Sequence, residues 1–250
     1  MAQNITPLIA GNWKMNGLRA ALAEVEKLAG LLRSSSPRAM TAICPPATLI
    51  GPMNAIAAGA GIVLGAQDCH QKASGAHTGD IAAPMLAEAG AQMVIVGHSE
   101  RRTDHGETDD LVLSKALAGL AAGLTPIICV GESRAEREAG QADAVVSRQL
   151  AASVPDEAAG ATIVVAYEPV WAIGTGLTPT SADIAEMHQS LRTQLVARFG
   201  EQGESIRLLY GGSLKPANAR EILAIPHVNG GLVGGASLLA DDFFAIISAA

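Results

Sequence analysis

The sequence predicts an α/β protein in which eight parallel strands close into a (β/α)8 barrel, with residues 1–250 forming one domain. Three observations lead there. Eight short apolar runs recur along the chain, helix-like stretches fall between most of them, and 49% of the residues are apolar although only 3% are aromatic. Strands that alternate with helices pair in parallel through right-handed crossovers. Scarce aromatics leave Ala, Val, Leu and Ile to fill the interior, which suits short buried strands wrapped by Ala-rich helices. An open doubly wound sheet also alternates in this way, but a closed barrel fits the number and length of the runs better. No Pro-, Gly- or Ser-rich linker divides the chain.

In order, the runs are Leu8-Ile9-Ala10, Thr41-Ala42-Ile43-Cys44, Ile62-Val63-Leu64, Met93-Val94-Ile95-Val96, Ile127-Ile128-Cys129-Val130, Ile163-Val164-Val165, Ile206-Arg207-Leu208-Leu209 and Gly231-Leu232-Val233. Between the first two, Leu18, Leu22, Val25, Leu28 and Leu32 recur at helical spacing until the Ser34-Ser35-Ser36-Pro37 breaker. Between the sixth and seventh, Ile184, Met187, Leu191, Leu195 and Phe199 mark another helix, opened by Thr180-Ser181-Ala182-Asp183 as a capping box.

Chemistry in such a barrel sits at the carboxyl ends of the strands, so the residues after each run are the informative ones. The first run leads into Gly11-Asn12-Trp13-Lys14. Lys14 alone reads as a solvated charge. At a strand mouth it becomes a candidate to hold an anion or an oxyanion, with Asn12 as a neutral donor beside it. The third run opens a long polar loop from Gly65 to Asp80, suited to a site, a subunit contact or a surface excursion. After the fourth come Gly97-His98-Ser99-Glu100-Arg101-Arg102, where Ser99 is expected to cap a short helix and set His98 near backbone donors. Glu100 and Arg101 read as partners of each other or of Glu107, and His105, His188 and His227 as structural. Glu132, after the fifth run, reads as packing at the start of a helix. The seventh and eighth runs end in Gly211-Gly212-Ser213 and Gly234-Gly235-Ala236, paired turns able to present amides to a phosphate.

The sixth run carries the most informative stretch, Ala166-Tyr167-Glu168-Pro169-Val170-Trp171-Ala172-Ile173-Gly174-Thr175-Gly176. Glu168 sits where the strand ends, either as a reactive group at the barrel mouth or as a salt-bridged terminus. Pro169 stiffens the segment after it, Gly174 and Gly176 permit a tight turn, and Trp171 and Ile173 supply an apolar face, which together suit a lid that closes over something.

A formal net charge of −7 without a basic run argues against nucleic acid or an anionic membrane as partner. Neither a signal peptide nor a membrane span is legible, and the expected location is the cytoplasm. Cys44, Cys69 and Cys129 are too few and too scattered for a disulfide framework. Cys69-His70 has no second ligand pair at zinc-like spacing, so no metal is expected.

From Ala166 to Gly176 the chain closely resembles the lid of the triosephosphate isomerase family. Asn12-Trp13-Lys14, Gly97-His98-Ser99-Glu100-Arg101-Arg102 and the paired glycine turns resemble the same family, in the same order, between about Ala10 and Leu239. The resemblance implies interconversion of dihydroxyacetone phosphate and D-glyceraldehyde 3-phosphate through an enediolate, in glycolysis and gluconeogenesis, without cofactor or metal. It makes Glu168 the base, with His98 and Lys14 stabilising charge on the oxygens and Asn12 assisting. Asn12 and Lys14 also contact the substrate, and Gly174, Ser213, Gly234 and Gly235 hold its phosphate. A homodimer is implied, with Thr78 near the partner's Lys14. Asp68 stands where the family usually has Asn, His77 where an aromatic such as Phe is frequent, and Leu177 where Lys is usual. Two rival functions remain open on residue chemistry: an aldolase-like reaction with Lys14 as Schiff-base nucleophile, and a phosphate binder without catalysis.

Overall fold

Each apolar run pairs in parallel with the next, and the last returns to the first. The computed structural model describes residues 5–156, 163–173 and 179–250. Its strands are β1 (Leu8–Asn12), β2 (Met40–Cys44), β3 (Ile62–Ala66), β4 (Met93–Val96), β5 (Thr125–Val130), β6 (Val164–Tyr167), β7 (Arg207–Tyr210) and β8 (Gly230–Val233), closed in sequence order. Closure is direct, since Leu8 pairs with Gly230 and Ala10 with Leu232. The expected eight-stranded barrel is therefore the observed one.

Around it lie α1 (Leu22–Ser35), α2 (Ala47–Ala58), α3 (Ala83–Glu88), α4 (Ser99–Asp104), α5 (Asp109–Ala121), α6 (Arg134–Glu138), α7 (Ala142–Ser153), α8 (Ser181–Phe199), α9 (Glu201–Ser205), α10 (Pro216–Leu223) and α11 (Ala240–Ile247). None of the described helices is long and apolar enough to cross a membrane.

Burial on both faces explains why the strands read as unbroken apolar runs rather than alternating ones. Leu8, Ala10, Ala42, Cys44, Ile95, Ile127, Cys129, Val164, Ala166 and Leu209 pack together inside the barrel. Their neighbours Ile9, Ile43, Val94, Ile128, Val165 and Leu208 point the other way, into the layer shared with the helices. Each Val, Leu or Ile side chain among them contributes about 1.5–3 kcal/mol by leaving water, before the opposing conformational entropy.

The two helices that the sequence marked most clearly differ in how closely they follow it. The Thr180 hydroxyl accepts the Asp183 N–H at 3.2 Å while the Asp183 carboxylate accepts the Thr180 N–H at 2.9 Å, the expected capping box of α8. Ile184, Met187, Leu191 and Leu195 form its buried stripe. Leu18 departs from expectation: it is 82% exposed and lies before α1. Gly17 at φ +109° and a short 3₁₀ turn at Arg19–Ala21 reset the chain direction, so only Val25, Leu28 and Leu32 of the predicted stripe are buried.

Candidate active site

Parallel strands deliver their carboxyl ends to one side of the barrel, and with them Asn12, His98, Glu168, Ser213, Gly234 and Gly235. All six line one cavity of about 330 Å³ together with Lys14. Gly174, the remaining expected phosphate ligand, lies outside the described residues, as do Gly176 and Leu177.

Glu168 follows the last residue of β6, and its N–H continues the ladder by donating to the Val130 carbonyl at 2.8 Å. Its side chain is 2% exposed. One carboxylate oxygen lies 2.9 Å from His98 Nε2, and the other accepts the Ser99 N–H at 2.9 Å. Burial alone raises its pKa, but His98, the Ser99 amide and Lys14 outweigh this and hold it below the ordinary glutamate value. Two glycines make room for it. A Cβ at Gly211 would lie 2.8 Å from Glu168 Cγ, and one at Gly131 would lie 1.7 Å from the Glu168 carbonyl oxygen.

His98, rather than Ser99, is the residue that caps α4. Its Nδ1 accepts the Glu100 N–H at 3.2 Å, whereas Ser99 is already the first helical residue. A backbone amide is only a donor, so Nδ1 carries no proton and Nε2–H faces Glu168. Burial lowers the His98 pKa, while the adjacent Glu168 carboxylate, its hydrogen bond and Glu100 together raise it above the ordinary value. The larger part of that upward pull comes from Glu168 and lasts only while it rests against the ring. Protonating Nδ1 would break the bond to the Glu100 amide, so the pair is a neutral imidazole donating to a carboxylate.

Lys14 reaches the cavity from a backbone at φ +52°, an uncommon conformation for a non-glycine residue. Asn12 Oδ1 supports it by accepting the Lys14 N–H at 3.0 Å, which leaves the Asn12 amide group as a donor. Gln67 supports it from the other side, donating to the Lys14 carbonyl at 2.8 Å and the Cys44 carbonyl at 2.9 Å. The ammonium pairs with Glu100. Glu100 thus belongs to Lys14, whereas Arg101 takes Glu107, one of its two expected partners. Arg101 pairs with Glu107 at 2.6 Å and with Asp68 at 2.9 Å, and Lys115 joins the same buried network.

At the far end of the cavity, a Cβ at Gly234 would touch Lys14 Cε at 3.5 Å, and one at Gly235 would meet nothing within 4 Å. The lysine therefore stands beside the glycine turn, and backbone there faces open space. Ser213 is fixed by Asn218, whose Nδ2 donates to the Ser213 carbonyl at 3.0 Å. The region combines the Lys14 ammonium, small residues and two loop backbones, a chemistry suited to a phosphate.

Glu132 has a larger part than the packing expected of it. Its fully buried carboxylate accepts Trp171 Nε1 at 2.9 Å and Tyr167 OH at 3.2 Å, and Arg137 lies 3.3 Å away and over the Trp171 ring. The start of the lid is thereby pinned to the end of β5. Cys69 turns inward, its thiol 3.6 Å from the Lys115 carbonyl, and His70 turns outward beside His77 and Asp80. The Ser99 amide, Gln67, Glu100 and the Gly131 contact were not assigned to the site by sequence reasoning. Only Gly131 and Gly211, at strand ends, left a local signal.

The family model for triosephosphate isomerase matches residues 7–250. A triosephosphate isomerase of Afipia carboxidovorans is 63% identical over 249 residues, covering 100% of this chain and 99% of the relative. One of Hyphomonas neptunium is 59% identical, with 96% of each chain covered. The crystal structure of triosephosphate isomerase from Bartonella henselae superposes with a TM-score of 0.92 at 48% identity, covering 98% of this chain and 99% of that one. Matched along almost its full length by the family model, by these relatives and by that barrel, the chain belongs to the triosephosphate isomerase family.

Proposed function

We propose that Glu168 is the base with which the chain interconverts dihydroxyacetone phosphate and D-glyceraldehyde 3-phosphate through an enediolate. The observation that carries this reading is the contact of Glu168 with His98 Nε2 and the Ser99 amide inside the cavity that also holds Lys14. A proton next to a carbonyl is weakly acidic, so its removal needs a placed carboxylate and donors aimed at the oxygen that becomes negative. An arriving substrate oxygen takes the Nε2–H that Glu168 now accepts, and Glu168 turns to the carbon. His98 Nε2–H, the Lys14 ammonium and the Asn12 amide then face the developing charge. Ser213, Gly234 and Gly235 hold the phosphate away from the reacting carbons, where its binding energy favours lid closure. Triosephosphate isomerases are themselves the established example of a neutral histidine electrophile and of a closing loop.

Lys14 acts here as a charge, in keeping with its ion pair to Glu100. The test is a coupled isomerase assay alongside deuterium exchange into dihydroxyacetone phosphate. Turnover with exchange, both abolished in Glu168→Gln, is expected. Tight binding without exchange would mean a ligand-binding protein, and a borohydride-trapped adduct on Lys14 would mean aldolase-like chemistry.

The working unit is a homodimer in the cytoplasm, and residues 1–250 form its single domain. Support for a second copy comes from Met15, 97% exposed, with Ile81 at 38% and Met85 at 53%, beside the loop that carries Thr78. Support for one domain is the β1–β8 pairing, which joins the two ends of the chain. Light scattering is expected to give twice the chain mass.

A further inference from the structure

We propose that Arg102 is a positioning residue for the isomerisation: its guanidinium sets the spacing between the two strand ends that carry His98 and Glu168. The inference rests on the reading of Glu168 as base. Arg101 and Arg102 are neighbours on α4, yet they part ways. Arg101 goes to Glu107 and Asp68, whereas Arg102 turns between the ends of β4 and β5. Its Nε donates to the Gly97 carbonyl at 2.9 Å, and its Nη2 donates to the Cys129 carbonyl at 3.1 Å. Gly97 immediately precedes His98, and Cys129 immediately precedes Val130, whose carbonyl accepts the Glu168 N–H at 2.8 Å. One planar group thereby ties the peptide that launches His98 to the segment that fixes the backbone of Glu168. The side chains leaving those two backbones meet at 2.9 Å.

The guanidinium is itself held from behind. Its Nη1 donates to Asp109 Oδ1 at 2.6 Å, and its Nη2 also donates to Ser153 Oγ at 3.1 Å, while that hydroxyl donates to the same Asp109 oxygen at 3.2 Å. Asp109 opens α5 and Ser153 ends α7, so β4, β5, α5 and α7 all meet at one side chain. None of these partners lies on the loop after β3, and the Arg102 side chain is only 15% exposed. Gly97 makes the approach possible: it sits at φ +67°, and a Cβ there would lie 2.7 Å from Val112 and 3.1 Å from Arg102 Nη2.

An ion pair with Asp109 needs only a positive charge, which lysine also supplies. Two carbonyls on different strands need donors at a fixed separation, and only the rigid guanidinium fork presents them. Arg102→Lys therefore separates a role in placing His98 and Glu168 from a role in holding helices together. Ser213, Gly234 and Gly235 stand on the loops after β7 and β8, away from the guanidinium, so the grip on phosphate is independent of it.

The experiment compares steady-state kinetics and nitrogen-15 NMR of ring-labelled histidines in full-length parent and Arg102→Lys, the variant checked by circular dichroism for an intact fold. We expect kcat to fall roughly ten- to a hundredfold, as for other small misplacements of reacting groups. KM and the inhibition constant of inorganic phosphate stay at parental values. The His98 Nε2–H proton resonance, assigned by its loss in His98→Gln, moves upfield as its bond to Glu168 lengthens. Asp109→Asn keeps the acceptor oxygen and loses the charge that orients the fork, so it should move both readouts the same way by a smaller factor. It carries the test if the lysine variant fails to fold. Parental kcat, or an unmoved Nε2–H resonance, in a folded variant overturns the role. The resonance is read in resting protein without turnover, so failure of this role and failure of Glu168 as base remain distinguishable.

Discussion

Gly131 and Glu168 meet so closely at the barrel mouth that a Cβ on Gly131 would lie 1.7 Å from the Glu168 carbonyl oxygen. Gln149 fixes Gly131 on both sides, accepting its N–H at 2.7 Å and donating to its carbonyl at 3.1 Å. The backbone of Glu168 is thus set by a contact that only glycine permits. Gly131→Ala must push β5 and β6 apart there. We expect a stability loss of about 1–3 kcal/mol or more, seen in urea unfolding, together with a fall in kcat as the carboxylate is displaced. Parental stability and kcat in this variant would contradict the contact.

Glu168→Asp withdraws the carboxylate by one methylene while keeping its charge. A misplacement on the order of 1 Å costs about 10²-fold in rate. Steady-state kinetics should show this loss mainly in kcat, and equal turnover by the variant would remove Glu168 from the role of base.

Lys14→Met keeps the aliphatic stem of the side chain and deletes the ammonium. Loss of one donor to a developing oxyanion costs roughly 10²–10³-fold. Because the same ammonium stands beside Gly234, KM should rise as well as kcat fall. A variant with altered stability but parental kcat/KM would make Lys14 structural.

His188 is fully buried, its ring edge-on to Tyr167 at 6.0 Å between centroids, and its Nδ1 meets the His227 carbonyl at 3.2 Å. Burial pushes its pKa from 6.5 down to about 4, helped by Arg192 and His227 and outweighing the upward effect of the bond to that carbonyl. The unfolded chain therefore takes up a proton below 6.5 that the folded chain refuses until about 4. Stability from this group is complete above the unfolded value and is lost as pH falls through that window, by at most on the order of 3 kcal/mol. Denaturant midpoints measured between those two values should fall more steeply for the parent than for His188→Gln, and parallel curves would refute the assignment.

Much of the site was legible because parallel strands in a closed barrel all end on one side. Once the runs were found, Asn12, His98, Glu168 and the glycine turns had to lie near one another, whatever their separation in sequence. The capping box at Thr180 and Asp183 was equally legible, since it depends on four consecutive residues. Leu18 was misread because a glycine and a 3₁₀ turn broke a pattern that spacing alone continued.

The order of apolar runs by itself determined the barrel, and the residues at its strand ends determined where chemistry gathers. Only the tertiary structure decided which groups touch: that Glu168 rests on an amide 69 residues away, that Glu100 serves Lys14, and that His70 faces His77 and Asp80. The physical reason is reach. A strand or helix is encoded by neighbours a few residues apart, whereas a hydrogen bond between loops depends on ångström-scale placement of backbones that no local pattern specifies.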